Sequence, residues 1–175
     1  MFSSVAIVDD SGLEPPPDEI GEIVAGGPTL MKGYFRQPDE TQRVMREGLL
    51  YTGDLGYLDQ DGDLWVVQRR SDLIVTGGEN VYPYEIEQVL RSHPKVKDAA
   101  VVGIADREWG QKVAAAVSPV DGSGLTTEAL LGYSRAHLAG FKQPRLIRFV
   151  AALPRTSSGK IQRDRVKAIF GQLDE

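Results

Sequence analysis

The stretch Arg69–Glu87, RRSDLIVTGGENVYPYEIE, lies where the residue pattern of this 175-residue chain changes. Two short apolar runs flank Gly77–Gly78, and a glycine pair between such runs is typical of a tight hairpin turn. Pro83 suits the first turn of a helix, because its fixed φ and missing N–H are tolerated there. Glu85 adds a favourable negative charge near the helix N-terminus. The stretch therefore predicts two paired strands followed at once by a helix.

The segment before this stretch has the pattern of strands. SSVAIVDD at 3–10 and GEIVAGG at 21–27 alternate apolar and polar residues on either side of Pro15–Pro17, which excludes a helix there. A short helix is predicted over Asp39–Arg46. Asp61–Gly62 predicts a two-residue hairpin turn between two further strands. The first third of the chain is therefore predicted to be rich in β-structure.

The segment after this stretch mixes strands and helices. Three apolar runs predict strands, namely AAVVGIA at 99–105, KVAAAVSPV at 112–120 and LIRFV at 146–150. A helix with Thr126 or Thr127 as its N-cap follows the second of them. A last helix over Arg163–Leu173 places apolar side chains on one face. The fold class predicted for the whole chain is therefore α+β.

Charge is distributed unevenly along the chain. Residues 1–63 carry 13 acidic and four basic side chains, whereas residues 142–167 carry eight basic side chains and one acidic. A basic segment on an acidic protein favours an anionic partner that contacts this segment, although a solvated basic surface explains the charge equally well. Nucleic acid is not the predicted partner, because the nearby aromatic residues available for base stacking, Trp109 and Phe141, are few.

Composition also bears on the compartment. The chain has no cysteine, which excludes disulfides and thiolate metal sites and favours a reducing environment. No apolar run approaches the roughly 20 residues of a membrane span, and the N-terminus lacks a signal pattern. His93 and His137 have no partners at ligand spacing, so no metal-binding residue is predicted. We expect a soluble, cytoplasmic protein without a membrane partner.

Six motifs occur in order along the chain. They are GEIVAGG…MKGY, YTGD, RRSDLIVTGGENVYPYEIE, DREWGQ, FKQPR and LPRTSSGK. The ordered set resembles the AMP-forming adenylating enzymes, the superfamily of acyl-CoA synthetases, peptide-synthetase adenylation domains and luciferase. The motif at 69–87 is most similar to the bacterial 2-succinylbenzoate–CoA ligases of menaquinone synthesis.

The resemblance implies a two-step reaction. A carboxylate reacts with ATP and Mg²⁺ to give an acyl-adenylate and pyrophosphate, and the acyl group then passes to the thiol of CoA. ATP, Mg²⁺ and CoA are thus implied as substrates of an intact enzyme, and we expect this chain to bind none of them tightly alone.

The resemblance also implies a domain organisation. Residues 1–68 correspond to the β-rich end of a large N-terminal AMP-binding domain and residues 69–72 to a hinge. Residues 73–175 correspond to a small α+β lid domain with a β-hairpin, a three-stranded sheet and helices. The family's glycine-rich nucleotide loop and acyl pocket lie upstream of these motifs. The implied partner is therefore a missing N-terminal domain, and the chain alone is expected to be inactive.

The motif LPRTSSGK at 153–160 is not a Walker A phosphate loop. Pro154 stands where that loop needs glycine, and Ile161 stands where it needs Ser or Thr. In the family, Lys160 matches the catalytic lysine that contacts the substrate carboxylate and the α-phosphate during adenylation. An ammonium on a long side chain stabilises the negative charge that develops there. A solvated loop lysine is the alternative.

Three residues match nucleotide-binding and hinge positions of the family. Asp54 in YTGD matches the aspartate that binds both ribose hydroxyls, since a carboxylate accepts two hydrogen bonds; a turn aspartate is the alternative. Arg69 matches the arginine that approaches the nucleotide. Ser71 falls at the hinge position, where many relatives carry Asp or Lys. Gln68 replaces the glycine usual before Arg69.

Contacts with CoA are implied for three motifs. A glycine turn lets the backbone approach a narrow ligand, DREWGQ supplies an indole that stacks on adenine in some CoA ligases, and FKQPR contacts CoA phosphates and adenine. Gln143 departs from this pattern, because relatives often carry a basic residue there. The predicted CoA-binding residues are Gly77, Gly78, Trp109, Phe141, Lys142 and Arg145.

Alternative functions stay open at this point. The acid substrate is predicted to be 2-succinylbenzoate, with other fatty or aromatic acids as alternatives. A standalone, non-catalytic module that binds CoA or a partner is a second possibility. An adenylation domain that serves a carrier protein is a third.

Overall fold

The computed structural model describes residues 4–171 and divides into two compact units, Met1–Ser71 and Asp72–Glu175. A 3₁₀ turn at Arg70–Asp72 lies at this division. The predicted hinge at residues 69–72 stays a prediction. No helix in residues 4–171 has the length and apolar character needed to cross a bilayer.

The first unit is an antiparallel five-stranded sheet with one short helix. Its elements are β1 (Ser4–Val8), β2 (Gly21–Gly26), α1 (Pro38–Val44), β3 (Met45–Arg46), β4 (Leu49–Leu58) and β5 (Leu64–Arg69). Strands β2 and β3 flank β4 in the order β1-β2-β4-β3, and β5 also pairs with β4.

Two predictions for this unit were wrong in detail. Helix α1 ends at Val44 rather than Arg46, because Met45–Arg46 pairs with β4 instead of continuing the helix. The β4–β5 hairpin has a five-residue loop over 59–63, not a two-residue turn. Asp59 accounts for the longer loop, since its carboxylate accepts the backbone N–H groups of Asp61 and Asp63 at 3.0 and 2.9 Å.

The second unit is α+β, as predicted. Its elements are β6 (Ile74–Thr76), β7 (Glu79–Val81), α2 (Pro83–Arg91), β8 (Val96–Asp106), β9 (Gly110–Pro119), α3 (Thr127–His137), β10 (Leu146–Phe149) and α4 (Arg163–Phe170). Strands β6 and β7 form a two-stranded hairpin. It precedes a three-stranded sheet of order β10-β9-β8, in which β8 and β9 are antiparallel and β10 is parallel to β9.

The apolar runs of β8 and β9 are explained by burial on both faces of the sheet. Ala99 and Ala115 belong to the core that contains Ile86 and Leu90 of α2. Ala100 belongs to a second core on the other face, with α4. Strands covered on both faces read as continuous apolar runs because neither face contacts water. The sheet therefore forms a rigid centre from which the loops of this unit project.

The starts of helices α3 and α4 agree with the prediction from local sequence. Thr126 is the N-cap of α3, and its side chain accepts the N–H of Ala129 at 3.2 Å, which decides between the two threonines considered. Helix α4 begins at Arg163 as predicted and buries Val166 and Phe170. The predicted end of this helix, Leu173, lies outside the described residues.

Candidate functional site

Lys160 lies at the end of a short hairpin loop, Arg155–Ile161, called here the Lys160 loop. An antiparallel bridge between its first and last residues closes the loop. The N–H of Thr156 donates to the Lys160 carbonyl at 2.8 Å, and the N–H of Lys160 donates to Thr156 Oγ1 at 3.1 Å. Gly159 has a φ of 85°, a conformation that glycine adopts without a Cβ clash. The backbone at Lys160 is thus held by its own loop.

The Lys160 side chain is exposed. It forms no ion pair with any residue from 4 to 171, although carboxylates neutralise several other cations of this unit. Its ammonium is therefore able to meet an anion without first breaking a salt bridge. The catalytic role predicted for Lys160 stays a prediction.

Two arginines hold the two ends of the Lys160 loop. Arg155 donates to the carbonyl of Gly159 and pairs with Asp98. Arg163, three residues beyond Lys160, donates through Nη1 to Glu87 Oε1 at 2.7 Å. Its Nε donates to Asp72 Oδ2 at 2.9 Å.

These contacts are part of a six-residue network of alternating charge, called here the ion-pair network. Arg91 joins its two halves, because it pairs with Glu87 at 3.1 Å and with Asp98 at 3.2 Å. The order of contacts is Asp72, Arg163, Glu87, Arg91, Asp98 and Arg155.

The network shifts the pKa of two of its members in the directions expected for ion pairs. Burial alone would raise the pKa of Asp98, but hydrogen bonds from Arg155, the Ala99 N–H and Arg91 lower it below the usual value of 3.8. Burial alone would lower the pKa of Arg163, but its contacts with Glu87 and Asp72 outweigh burial and raise this pKa above its usual value. Both groups are therefore charged across the physiological range.

A cleft of about 470 Å³ lies between the β6–β7 turn, the β8–β9 loop and the segment before β10. Trp109 forms one side, and its carbonyl accepts the N–H of Gly77 at 3.0 Å. The lining residues are Thr76, Asp106, Glu108, Trp109, Lys112, Val113, Phe141 and Arg145. Residues from three predicted CoA-binding motifs thus surround one cavity.

The cleft combines exposed aromatic surface with basic groups. Trp109 is 47% exposed and Phe141 is 38% exposed. Arg145 is also exposed, and its backbone N–H donates to the Val113 carbonyl at 2.8 Å, which fixes the start of β10 beside β9. Aromatic rings and a guanidinium are groups that bind nucleotide bases and phosphates.

Asp106 holds the backbone of the β8–β9 loop, which carries the indole of Trp109. Its Oδ1 accepts the N–H groups of Trp109 and Glu108, both at 3.0 Å, and these hydrogen bonds lower the pKa of Asp106. Asp106 also pairs with Lys112 at 3.6 Å. Neither Asp106 nor Lys112 was singled out from the sequence. For Asp106 a signal was available, because it begins the short segment DREW and aspartate is common at the start of turns.

Three predicted CoA-binding residues, Gly77, Gly78 and Lys142, do not line this cleft. The Lys142 ammonium pairs with Glu85 at 2.8 Å, so a contact with a phosphate requires it to leave that carboxylate. Gly78 has a φ of 85° and open space around it, and it serves the turn. Lys160 is also not among the lining residues of the cleft.

The predicted nucleotide-binding residues lie together in the first unit. Asp54 and Arg69 are opposite each other on β4 and β5, and Arg69 Nε pairs with Asp54 Oδ1 at 2.8 Å. Arg69 also donates to the carbonyl of Thr52 at 3.3 Å. Ser71 is exposed in the 3₁₀ turn. Asp54 keeps its second carboxylate oxygen outside this ion pair.

Comparisons with known proteins identify the family that this chain resembles. Residues 85–160 match the C-terminal domain of AMP-binding enzymes. The chain is 48% identical over 170 residues to 2-succinylbenzoate–CoA ligase of Geobacillus sp. (strain WCH70), with 97% of this chain and 35% of that protein covered. It is 44% identical over 171 residues to feruloyl-CoA synthase of Amycolatopsis sp., with coverages of 98% and 35%.

The chain is also similar in structure to a solved adenylate-forming enzyme. The o-succinylbenzoate CoA synthetase (MenE) of Bacillus subtilis, in complex with the acyl-adenylate intermediate OSB-AMP, superposes with a TM-score of 0.81 at 41% identity. The match covers 94% of this chain and 34% of that one. The chain thus spans about a third of the length of the relatives it matches. We conclude that it belongs to the adenylate-forming enzymes and carries the C-terminal domain found in AMP-binding enzymes.

Proposed function

We propose that this chain is the C-terminal part of an AMP-forming acid–CoA ligase that activates 2-succinylbenzoate. The observation that carries the proposal is the exposed Lys160 ammonium, which has no ion-pair partner in residues 4–171 and lies on a loop anchored at both ends. A cation that is free to meet anions, on a loop of fixed shape, suits a reaction in which two anions must combine.

Lys160 is assigned to adenylation. Attack of the substrate carboxylate on the α-phosphorus of ATP brings two anionic groups together, and negative charge builds on the phosphoryl oxygens as pyrophosphate departs. An ammonium between the two groups reduces their repulsion and stabilises the transition state more than the separate reactants. Mg²⁺ and the acyl pocket are assigned to polypeptide that precedes the matched region in the relatives.

Asp54 and Arg69 are assigned to the nucleotide. A carboxylate that accepts one guanidinium hydrogen bond at 2.8 Å retains acceptor capacity for ribose hydroxyls. The guanidinium remains largely exposed and offers further donors to phosphate. Ser71 is assigned to the pivot about which the second unit changes its orientation between the two steps.

The cleft that Trp109, Phe141 and Arg145 line is assigned to CoA. Its indole and phenyl rings suit the adenine, Arg145 suits a phosphate, and the open space beside Gly78 allows pantetheine to approach the backbone of the turn. The acceptor is therefore proposed to be free CoA, and a carrier protein is less favoured. The acid is proposed from the names of the relatives, because no acyl pocket is assigned within residues 4–171.

A chimeric enzyme tests this proposal. It joins the N-terminal part of the Geobacillus 2-succinylbenzoate–CoA ligase to this chain, and pyrophosphate exchange and thioester formation from supplied acyl-adenylate are measured separately. Lys160→Ala should lower the rate of pyrophosphate exchange by about 100-fold or more, as expected for loss of a group that stabilises developing charge. Thioester formation should change little.

Lys167→Ala is the matched control, since Lys167 is an exposed lysine of α4 outside the proposed site. It should leave both half-reactions intact. Equal loss of both half-reactions in Lys160→Ala would contradict the role of Lys160. Absence of pyrophosphate exchange by the unmodified chimera would contradict the proposed role of this chain in an AMP-forming ligase. The 175-residue chain alone should catalyse no exchange.

A further inference from the structure

The ion-pair network connects three places that are distant in sequence. Arg155 is the first residue of the Lys160 loop, and Arg163 lies shortly after its last residue. Asp98 lies on β8, and Asp72 immediately follows Ser71. Arg155 and Arg163 therefore attach both ends of the loop to one set of carboxylates. The network ends at the first residue of the second unit.

Glu87 is the buried centre of this network. Its side chain is 4% exposed, and its Oε1 accepts Arg163 Nη1 at 2.7 Å and the N–H of Val101 at 2.9 Å. Arg163 Nη1 also donates to the carbonyl of Val101 at 2.8 Å. A guanidinium with several fixed acceptors has little freedom to move, because its planar fork must satisfy all of them at once. Arg163 is thus fastened to the central sheet.

Arg155 differs from Arg163 in its exposure. Its side chain is 44% exposed, whereas that of Arg163 is 18% exposed. An exposed ion pair contributes little to overall stability. Arg155 nevertheless reaches across the Lys160 loop to the carbonyl of Gly159, the residue before Lys160. Its contacts are better suited to fix the shape of the loop than to hold the fold together.

We propose that Arg155 and Arg163 are positioning residues for Lys160, and that the contact of Arg163 with Asp72 makes the start of the second unit move together with the Lys160 loop. This inference rests on the proposed function of Lys160. It also restricts the pivot, because rotation after Asp72 would break its contact with Arg163, whereas rotation at Ser71 leaves the network intact.

Arg155→Gln tests the positioning role in the chimera described above. Adenylation kcat should fall by about 10- to 100-fold, the effect expected when a catalytic group is displaced by roughly 1 Å. Thioester formation from supplied acyl-adenylate should stay within about twofold, and the melting temperature should hardly change. Arg155→Lys should restore only part of the rate, since one ammonium replaces the fork that contacts both Gly159 and Asp98.

Arg165→Gln is the matched control, because Arg165 is an exposed arginine of α4 that forms no ion pair in residues 4–171. It should leave both half-reactions unchanged. Equal loss of the two half-reactions in Arg155→Gln, or no loss at all, would overturn the positioning role.

Amide hydrogen exchange on the 175-residue chain provides a readout that does not depend on activity. In Arg155→Gln the N–H groups of Thr156 and Gly159, which are bonded within the loop, should exchange severalfold faster while the amides of β8 and β9 stay protected. Unchanged exchange at both loop amides would contradict the proposal. If the unmodified chimera lacks adenylation activity, the proposed function fails, and this measurement still decides whether Arg155 orders the loop.

The pivot is tested by Asp72→Asn in the same chimera. This substitution keeps a hydrogen-bond acceptor but removes the charge that faces Arg163. Both half-reactions should decrease, because the start of the unit no longer follows the Lys160 loop. An unaltered rate in both half-reactions would contradict the coupling of Asp72 to the loop.

Discussion

Gly77 and Trp109 are in direct contact across the mouth of the cleft. The N–H of Gly77 donates to the Trp109 carbonyl at 3.0 Å, and a Cβ built on Gly77 would lie only 2.7 Å from Cε3 of the indole. Gly77 also has a φ of 59°, in the left-handed region. Glycine is thus required here both by the backbone conformation and by the position of the indole.

Gly77→Ala should destabilise the second unit by more than the roughly 1–2 kcal/mol that a left-handed alanine costs, because the indole must also move. Gly78→Ala is the control, since its φ of 85° has the same backbone effect but nothing lies within 4 Å of the added methyl group. Thermal unfolding of the two variants measures the difference. Equal destabilisation would show that the indole does not pack against Gly77.

Trp109→Ala should weaken binding of CoA to this chain by about 1–3 kcal/mol, the usual contribution of stacking between a base and an aromatic side chain. Titration calorimetry measures the affinity. Trp65→Ala is the control, because Trp65 is also an exposed indole, at 53%, but stacks on Tyr57 in the first unit. Loss of CoA affinity in the control alone would place the CoA site elsewhere.

Arg145→Gln should make CoA binding less dependent on salt. An exposed guanidinium that contacts a phosphate contributes an attraction that added ions screen, so its removal flattens the plot of affinity against salt concentration. The measurement is the CoA affinity at several ionic strengths. A slope identical to that of the unmodified chain would exclude a phosphate contact by Arg145.

Thr126→Ala should destabilise the second unit by about 1 kcal/mol, because the N–H of Ala129 loses its side-chain acceptor at the start of α3. Thr127→Ala should have a smaller effect, since Thr127 is already inside the helix and alanine has the higher helix propensity. Chemical denaturation of both variants checks the order. The reverse order would make Thr127 the N-cap.

Asp98→Asn should reduce the acid sensitivity of the fold. A carboxyl group whose pKa is lowered in the folded state stabilises that state above its unfolded pKa, and this stabilisation is lost as the pH falls through the folded pKa. For Asp98 the loss begins near its usual pKa of 3.8 and continues below it. The variant should therefore show a smaller decrease in unfolding free energy in this range.

Asp121→Asn is the control for this pH effect, because Asp121 is exposed and has no ion-pair partner in the part of the chain that the structure describes. Its unfolding free energy should follow that of the unmodified chain from pH 5 downward, within about 0.5 kcal/mol. If the unfolding free energy of Asp98→Asn decreased with pH as much as that of the unmodified chain and of Asp121→Asn, the lowered pKa of Asp98 would be contradicted.

The sequence predicted those features that depend on neighbouring residues. The β6–β7 hairpin and the start of α2 follow from Gly77–Gly78 and Pro83, whose backbone preferences act locally. The motif resemblance also predicted several residues that surround the cleft. Contacts between distant residues were not predicted, because no local pattern specifies them: Lys142 pairs with Glu85, 57 residues away, and Arg163 contacts Asp72, 91 residues away.

Local sequence patterns also do not specify where every helix and hairpin loop ends. Helix α1 has a pattern that extends to Arg46, but pairing of Met45 with Leu50 of β4 ends it earlier. The five-residue β4–β5 loop depends on one carboxylate, Asp59, that satisfies several backbone donors. Tertiary pairing and side-chain capping compete with local propensity in such cases.

The small side chains at the middle of the second sheet restrict how this domain can vary. Five alanines there are fully buried between helices on both faces, namely Ala99, Ala100, Ala114, Ala115 and Ala116. A larger residue at any of them has no space to enter and must push a helix outward. In a saturation mutagenesis screen these five positions should accept only glycine or serine at best, whereas the cleft rim should tolerate wide substitution. New ligand preferences would thus arise at the rim without disturbing the sheet.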